Sequence, residues 1–117
     1  MASPEANADL ARRFLQAYAD KDLGTIATLI SDDVLLRDWN LERRGRAAFL
    51  AETQTNFDNA ASIAIAIERL HATAHSVAAE ALITVDGSVR LRVVDVFDIG
   101  SDGRVDALRS YKGLDPG

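Results

Sequence analysis

The sequence predicts an α+β domain: an antiparallel sheet with helices packed on one face. Three observations lead there. Apolar residues follow the helical period in the first half of the chain, and from about Ser62 they alternate in the strand period. The late strands are joined by turn signals too short to hold a crossover helix, which argues against a parallel βαβ arrangement.

Leu10, Phe14, Ala17 and Tyr18 fall at i, i+4, i+7 and i+8, one apolar stripe with Arg12, Arg13 and Gln16 pointing elsewhere. This spacing predicts an amphipathic helix of about four turns. Asp22 caps a second, shorter helix that carries Leu23, Ile26 and Ile30 on one face, and Ser31, Asp32 and Asp33 break it. Val34, Leu36 and Asp38 then alternate with Leu35 and Arg37, a short strand ending in a polar turn from Asn40 to Arg44. A third helix begins after Gly45 and runs through Phe49 and Leu50 toward Phe57. Ile63, Ile65 and Ile67 alternate against Ala64, Ala66 and Glu68, and the alternation continues from Val77 to Val85. Asp86-Gly87 is a hairpin signal that opens a long strand, Ser88 to Ile99. A turn from Gly100 to Gly103 leads into a last strand, Arg104 to Lys112.

The 117 residues fit a single domain, 1–117, with a core from about 10 to 112. Thirteen Lys and Arg against eighteen Asp and Glu leave a formal charge of −5, the wrong sign for neutralising phosphates, so nucleic acid is not an expected partner. The chain has no cysteine, which removes disulfides, zinc–thiolate sites and thiol catalysis. Met1 to Asp9 is polar and acidic, unlike a secretory signal, and both prolines, Pro4 and Pro116, lie in the tails. The most apolar run, Ala60 to Ile67, is far shorter than the roughly twenty residues a membrane helix needs. A cytoplasmic protein without a membrane partner is expected.

Two carboxylates stand in apolar rows. On the long strand, Asp95 shares the parity of Val89, Leu91, Val93, Phe97 and Ile99. The opposite parity, Arg90, Arg92, Val94, Val96 and Asp98, is polar at its ends and apolar in the middle, so the strand is expected to be covered on both sides, by helices and by another subunit. Asp38 continues the row of Val34 and Leu36, with Trp39 beside it. Desolvation raises a buried carboxyl's pKa unless a cation or several donors hold its charge, and such a group can donate a proton at neutral pH. The alternatives are an ion pair of Asp95 with Arg109 or Arg92, and for Asp38 a strand end at the surface.

Other constellations are bland. His71 and His75 are four apart, a metal spacing on a helix, but they flank a turn between strands with no accompanying ligand motif. Asp98 to Gly103 echoes a calcium loop but lacks its closing acid. No phosphate loop, dinucleotide fingerprint or nucleophile elbow is present, and neither a cofactor nor a metal is expected.

The order of elements resembles the ketosteroid isomerase and SnoaL-like group of the NTF2-like superfamily. The likeness is carried by Ser31 to Asp38, by Arg44-Gly45-Arg46 at the third helix, and by Val94 to Ile99 followed by Gly100 to Val105, and it covers about Leu10 to Lys112. It implies a curved antiparallel sheet wrapped around the N-terminal helices, a cone whose open end takes a small apolar molecule, and a homodimer formed through the outer sheet face. It further implies Asp38 as the base that shuttles a proton beside a carbonyl and Asp95 as the acid that stabilises the enolate, with no cofactor. Phe14, Tyr18, Trp39, Phe97 and Leu108 are the implied substrate-binding walls. The oxyanion tyrosine of these isomerases falls on Phe14, which cannot donate, and its supporting tyrosines fall on Ile30 and Thr53. Tyr18 lies one turn further along the same face and is the candidate substitute donor, reaching a different depth in the cone. A SnoaL-like polyketide cyclase and a non-catalytic binding module are the other functions this resemblance admits. Epoxide hydrolases of the superfamily use an Asp-Arg-Asp set, and Ser110 stands here where its last acid is expected.

Overall fold

Helix α1 (Pro4–Ala19) starts earlier than its apolar stripe does. Ser3 is its N-cap, the hydroxyl accepting from the Ala6 N–H at 3.1 Å, and Pro4 occupies the first turn, where a missing N–H costs nothing. The computed structural model describes residues 3–114, so Pro4 is helical while Pro116 lies outside the described residues. Helix α2 (Leu23–Leu29) is capped as expected by Asp22, which accepts from the Thr25 N–H at 3.1 Å. Ile30 does not extend it. Ile30 is fully buried and opens strand β1 (Ile30–Arg37), so Ser31 to Asp33 belong to the strand and do not form a break.

The expected polar turn is shorter than its sequence implied. Glu42–Arg44 forms a short strand, β2, antiparallel to β1 with Leu35 opposite Arg44 and Arg37 opposite Glu42. Helix α3 (Arg46–Asn59) follows Gly45, whose φ of 97° and ψ of 152° lie in a region reserved for glycine. The Arg46 guanidinium donates to the carbonyls of Ile30 (2.9 Å) and Ala27, satisfying groups left open where α2 ends. Gly45→Ala is therefore expected to cost about 1–3 kcal/mol through strain at this joint. Urea denaturation checks it, and an unchanged midpoint would refute the strain.

Strands β3 (Ile63–Ala72), β4 (Ser76–Val85), β5 (Val89–Ile99) and β6 (Val105–Lys112) complete a curved, open six-stranded sheet in the order β2-β1-β6-β5-β4-β3. Asp86 and Gly87 (φ 55° and 74°) turn β4 into β5, as the dipeptide requires. One junction departs from the antiparallel expectation: β1 and β6 run parallel, with Leu36 beside Leu108 and Arg37 beside Arg109. Late strand β6 thereby lies between β1 and β5.

The inner sheet face changes character along its length. At one end Val77, Ala79, Phe97, Ile99 and Val105 are buried with Phe14 and Phe49, Phe14 packing edge-on to both rings at centroid distances of 5.3 and 6.1 Å. At the other end Ile63, Ile65, Ile83, Val85 and Leu91 stay partly exposed around a cavity. On the outer face Val94 and Val96 are only half-buried. Among the described residues no helix is long and apolar enough to cross a membrane.

Candidate functional site

The cavity has a volume of about 320 Å³, lies between the inner sheet face and helices α1 and α3, and is lined by both candidate carboxylates. Asp38 reaches it because β1 ends at Arg37 and the next residue keeps the inward parity of Val34 and Leu36. Its Oδ1 accepts from the backbone N–H groups of Asn40 (2.7 Å) and Leu41 (3.0 Å), and its own N–H donates to the Leu41 carbonyl at 3.0 Å. The hairpin turn thus holds one carboxylate oxygen and leaves Oδ2 without a hydrogen bond among the described residues.

Asp95 is 6% exposed, in the apolar row where parity placed it. Its flanking positions are Ala79 on β4 and Ser110 on β6. The Ser110 hydroxyl donates to Oδ1 at 2.7 Å. The ion pairs held open for Asp95 do not form, because Arg109 forks onto Asp98 at 2.6 and 3.0 Å and Arg92 pairs with Glu68. Burial therefore dominates and pushes the Asp95 carboxyl up to about 6, with the Ser110 bond pulling the other way.

Two strand spacings separate the acids. Asp95 faces Ser110 across β5 and β6, and Asp38, two residues beyond the Leu36–Leu108 pair, comes level with Ser110 from the far side. Strands lie about 4.8 Å apart, which sets the two backbones about 10 Å apart, with both side chains turned into one concavity.

Phe14, Tyr18, Trp39 and Leu108 line the cavity, Trp39 at its rim with 45% exposure. Phe97 does not. It is fully buried against Phe14, in the packed end of the inner face, and supports the wall from behind. Of the positions corresponding to supporting tyrosines, Thr53 lines the cavity, its hydroxyl bonded to the Phe49 carbonyl at 2.9 Å, whereas Ile30 is in the core. Neither histidine lines it: His71 bonds Glu80 at 2.6 Å on the outer face, and His75 sits in the turn before β4.

Several polar wall residues went unread in the sequence. Asn56 and Asn59 follow Thr53 at helical spacing on α3, and Asn40 stands in the hairpin turn. The Tyr18 hydroxyl accepts from Asn56 Nδ2 at 3.0 Å. Burial raises the Tyr18 pKa, the Asn56 bond opposes this, and the charges of Asp95 and Asp38 add to the rise.

The family profile described as SnoaL-like domain matches residues 11–107. Among solved structures the chain is similar to a presumed ketosteroid isomerase from Kribbella flavida, with a TM-score of 0.85 and 23% identity, over 100% of this chain and 84% of that one. It is similar to an LEH-like epoxide hydrolase from Mycobacterium tuberculosis, with a TM-score of 0.79 and 23% identity, over 95% of this chain and 84% of that one. A presumed SnoaL-like polyketide cyclase from Shewanella denitrificans gives a TM-score of 0.83 at 14% identity, over 92% of this chain and 90% of that one. At such identities the likeness is one of fold. No curated protein matches the chain.

Proposed function

Because this chain belongs to the SnoaL-like domain family, we propose that it moves a proton beside a carbonyl of an apolar cyclic substrate, in the manner of a ketosteroid isomerase. Asp38 Oδ2 takes a proton from the carbon next to the carbonyl and returns it to the far carbon of the resulting dienolate. Asp95, protonated, donates to the oxygen on which negative charge develops. No co-reactant is consumed, since one proton leaves and re-enters the substrate.

The observation that carries this reading is the contrast between two carboxyl groups on one cavity. Asp38 is half-buried and held by two backbone donors, whereas Asp95 is buried with a single hydroxyl donor and titrates near 6. Burial that favours the protonated form makes Asp95 the acid, and Asp38, with Oδ2 unbonded among the described residues, the base, a division of roles known from ketosteroid isomerases themselves. Phe14 takes from this site the donor that those enzymes place on the first helix, and loss of one such donor costs about 2.7–4 kcal/mol of barrier. The expected enzyme is slow.

The test is incubation with a β,γ-unsaturated ketosteroid, followed by ultraviolet absorbance of the conjugated enone. A rate above buffer is expected, falling about tenfold per pH unit above 6 as Asp95 loses its proton. No rate above buffer overturns the reading. Phe14 supports the second one, a non-catalytic binding module for an apolar ligand or a SnoaL-like polyketide cyclase, and binding of phenolic steroids without turnover would favour the module.

A homodimer is part of the proposal. The half-buried Val94 and Val96 form an apolar strip on the outer sheet face, which a second copy would cover. Sedimentation at micromolar concentration should give a dimer, and a monomer would remove this account of the strip.

A further inference from the structure

The polar groups of the cavity fall into two sets, and the proposed reaction uses only Asp38 and Asp95. Along β5, Ile99 and Phe97 are buried, Asp95 comes next, and Val93 and Leu91 continue along the cavity wall. Along α1, Phe14 packs on Phe97, and Tyr18 lies one turn, about 6 Å, further toward the open end. The Tyr18 ring is held between Phe14 (centroids 6.5 Å apart) and Phe57 (5.0 Å, edge-on). Its oxygen accepts from Asn56 Nδ2, so its own proton remains to be donated, and among the described residues it meets no acceptor. Asn56 Oδ1 likewise accepts from none of them. The pair thus presents one donor and one acceptor side by side, the complement of an alcohol.

The walls also limit charge. Among the described residues no Lys, Arg or His lines the cavity, whereas two carboxyl groups do. Lys112 stands outside the lining, its Nζ 6.0 Å from the Trp39 ring centroid at the rim, so an anionic ligand end between Asp95 and Tyr18 would meet no counter-charge from the walls.

We propose that Tyr18 and Asn56 form a second polar subsite that takes a hydroxyl at the far end of a neutral ligand, the hydroxyl accepting from the Tyr18 O–H and donating to Asn56 Oδ1. This rests on the cavity being the substrate site and names the substrate class more closely: an uncharged cyclic compound with a carbonyl at the Asp95 end and an alcohol at the Tyr18 end. Asn56 is the positioning residue, because its amide fixes which way the Tyr18 proton points.

The test compares estradiol with 17-deoxyestradiol, which lacks the distal hydroxyl. Binding is followed by the fluorescence of Trp39, the only tryptophan in the chain, at the cavity rim. One neutral hydrogen bond corresponds to a preference for estradiol of about 2- to 13-fold. That preference should vanish in Tyr18→Phe and shrink in Asn56→Ala. Equal affinities in the wild type, an undiminished preference in Tyr18→Phe, or no binding of either steroid overturns the subsite. Turnover of the ketosteroid judges the isomerase reading separately, because preference without turnover sinks only that reading and turnover without preference sinks only the subsite. A ligand-free measurement covers the pairing itself. Tyr111→Phe leaves Tyr18 as the sole tyrosine, whose ionisation is read by ultraviolet absorbance. Adding Asn56→Ala should move that titration to higher pH, as the donor that favours the phenolate is lost, and an unmoved titration overturns the pairing.

Discussion

Replacing Asp38 by asparagine is expected to lower the rate of ketosteroid isomerisation by about 10²- to 10⁴-fold, the contribution of a positioned base. The substitution isolates chemistry from shape. Asparagine Oδ1 can still accept from the Asn40 and Leu41 N–H groups, so the hairpin turn keeps its bonds. What changes is the atom facing the cavity, where an amide nitrogen that cannot take a proton replaces Oδ2. Steroid affinity and thermal stability should therefore stay near the wild type while kcat falls. A loss of less than tenfold would mean that another group, or water, abstracts the proton.

Asp95→Asn should make the protein more stable at pH 8 while removing its acid. The buried carboxyl titrates at about 6 in the folded chain against 3.8 as the ordinary value. Between those values the native state binds more protons than the unfolded one, so stability falls as pH rises through this window. The cost is complete above about pH 6 and amounts to about 3 kcal/mol; below the ordinary value it is absent. Asparagine carries no charge to desolvate and keeps the oxygen to which Ser110 donates. Thermal melts at pH 8 should show a gain of roughly 10 °C for a chain of this size, with none at pH 3.5. An equal gain at both pH values would trace the effect to packing. The variant's isomerisation rate should also lose its decline above pH 6, because no proton remains there to be lost.

Periodicity made most of the architecture legible. Alternation at Ile63, Ile65 and Ile67 and the Asp86-Gly87 turn lead directly to β3 and to the β4–β5 hairpin. Ser3-Pro4 carries a helix-start signal that was legible too, but the acidic residues after it read as a tail. Strand β2 was not legible, because Glu42, Arg43 and Arg44 are all exposed and bury no apolar side chain that could set a period. The parallel seam between β1 and β6 follows from how the whole sheet closes, which no local pattern encodes.

The site divides along the same line. Parity located Asp95 and its buried surroundings, because side-chain alternation decides which face a residue joins. It could not separate Asp95 from Phe97, two positions along the same row, since parity gives the face and not the depth at which packing yields to cavity. Asn56 and Asn59 lie at helical spacing from Thr53, yet the third helix was read only through its apolar residues.

Strand β6, lying between β1 and β5, also sets the order in which the molecule can be assembled. The α1, α2 and β1 segments and the β3–β4–β5 meander can each form from neighbouring stretches of chain, whereas β1 has no long partner until β6 arrives. Closure of that seam joins segments early and late in the sequence, a non-local step that folds slowly. Until then β1 and β5 each present an open edge, the hazard that invites pairing with other chains. Asp38 and Asp95 are brought to opposite sides of Ser110 by the same event, so ligand-binding competence during refolding should appear with the last phase of sheet formation and not with helix formation.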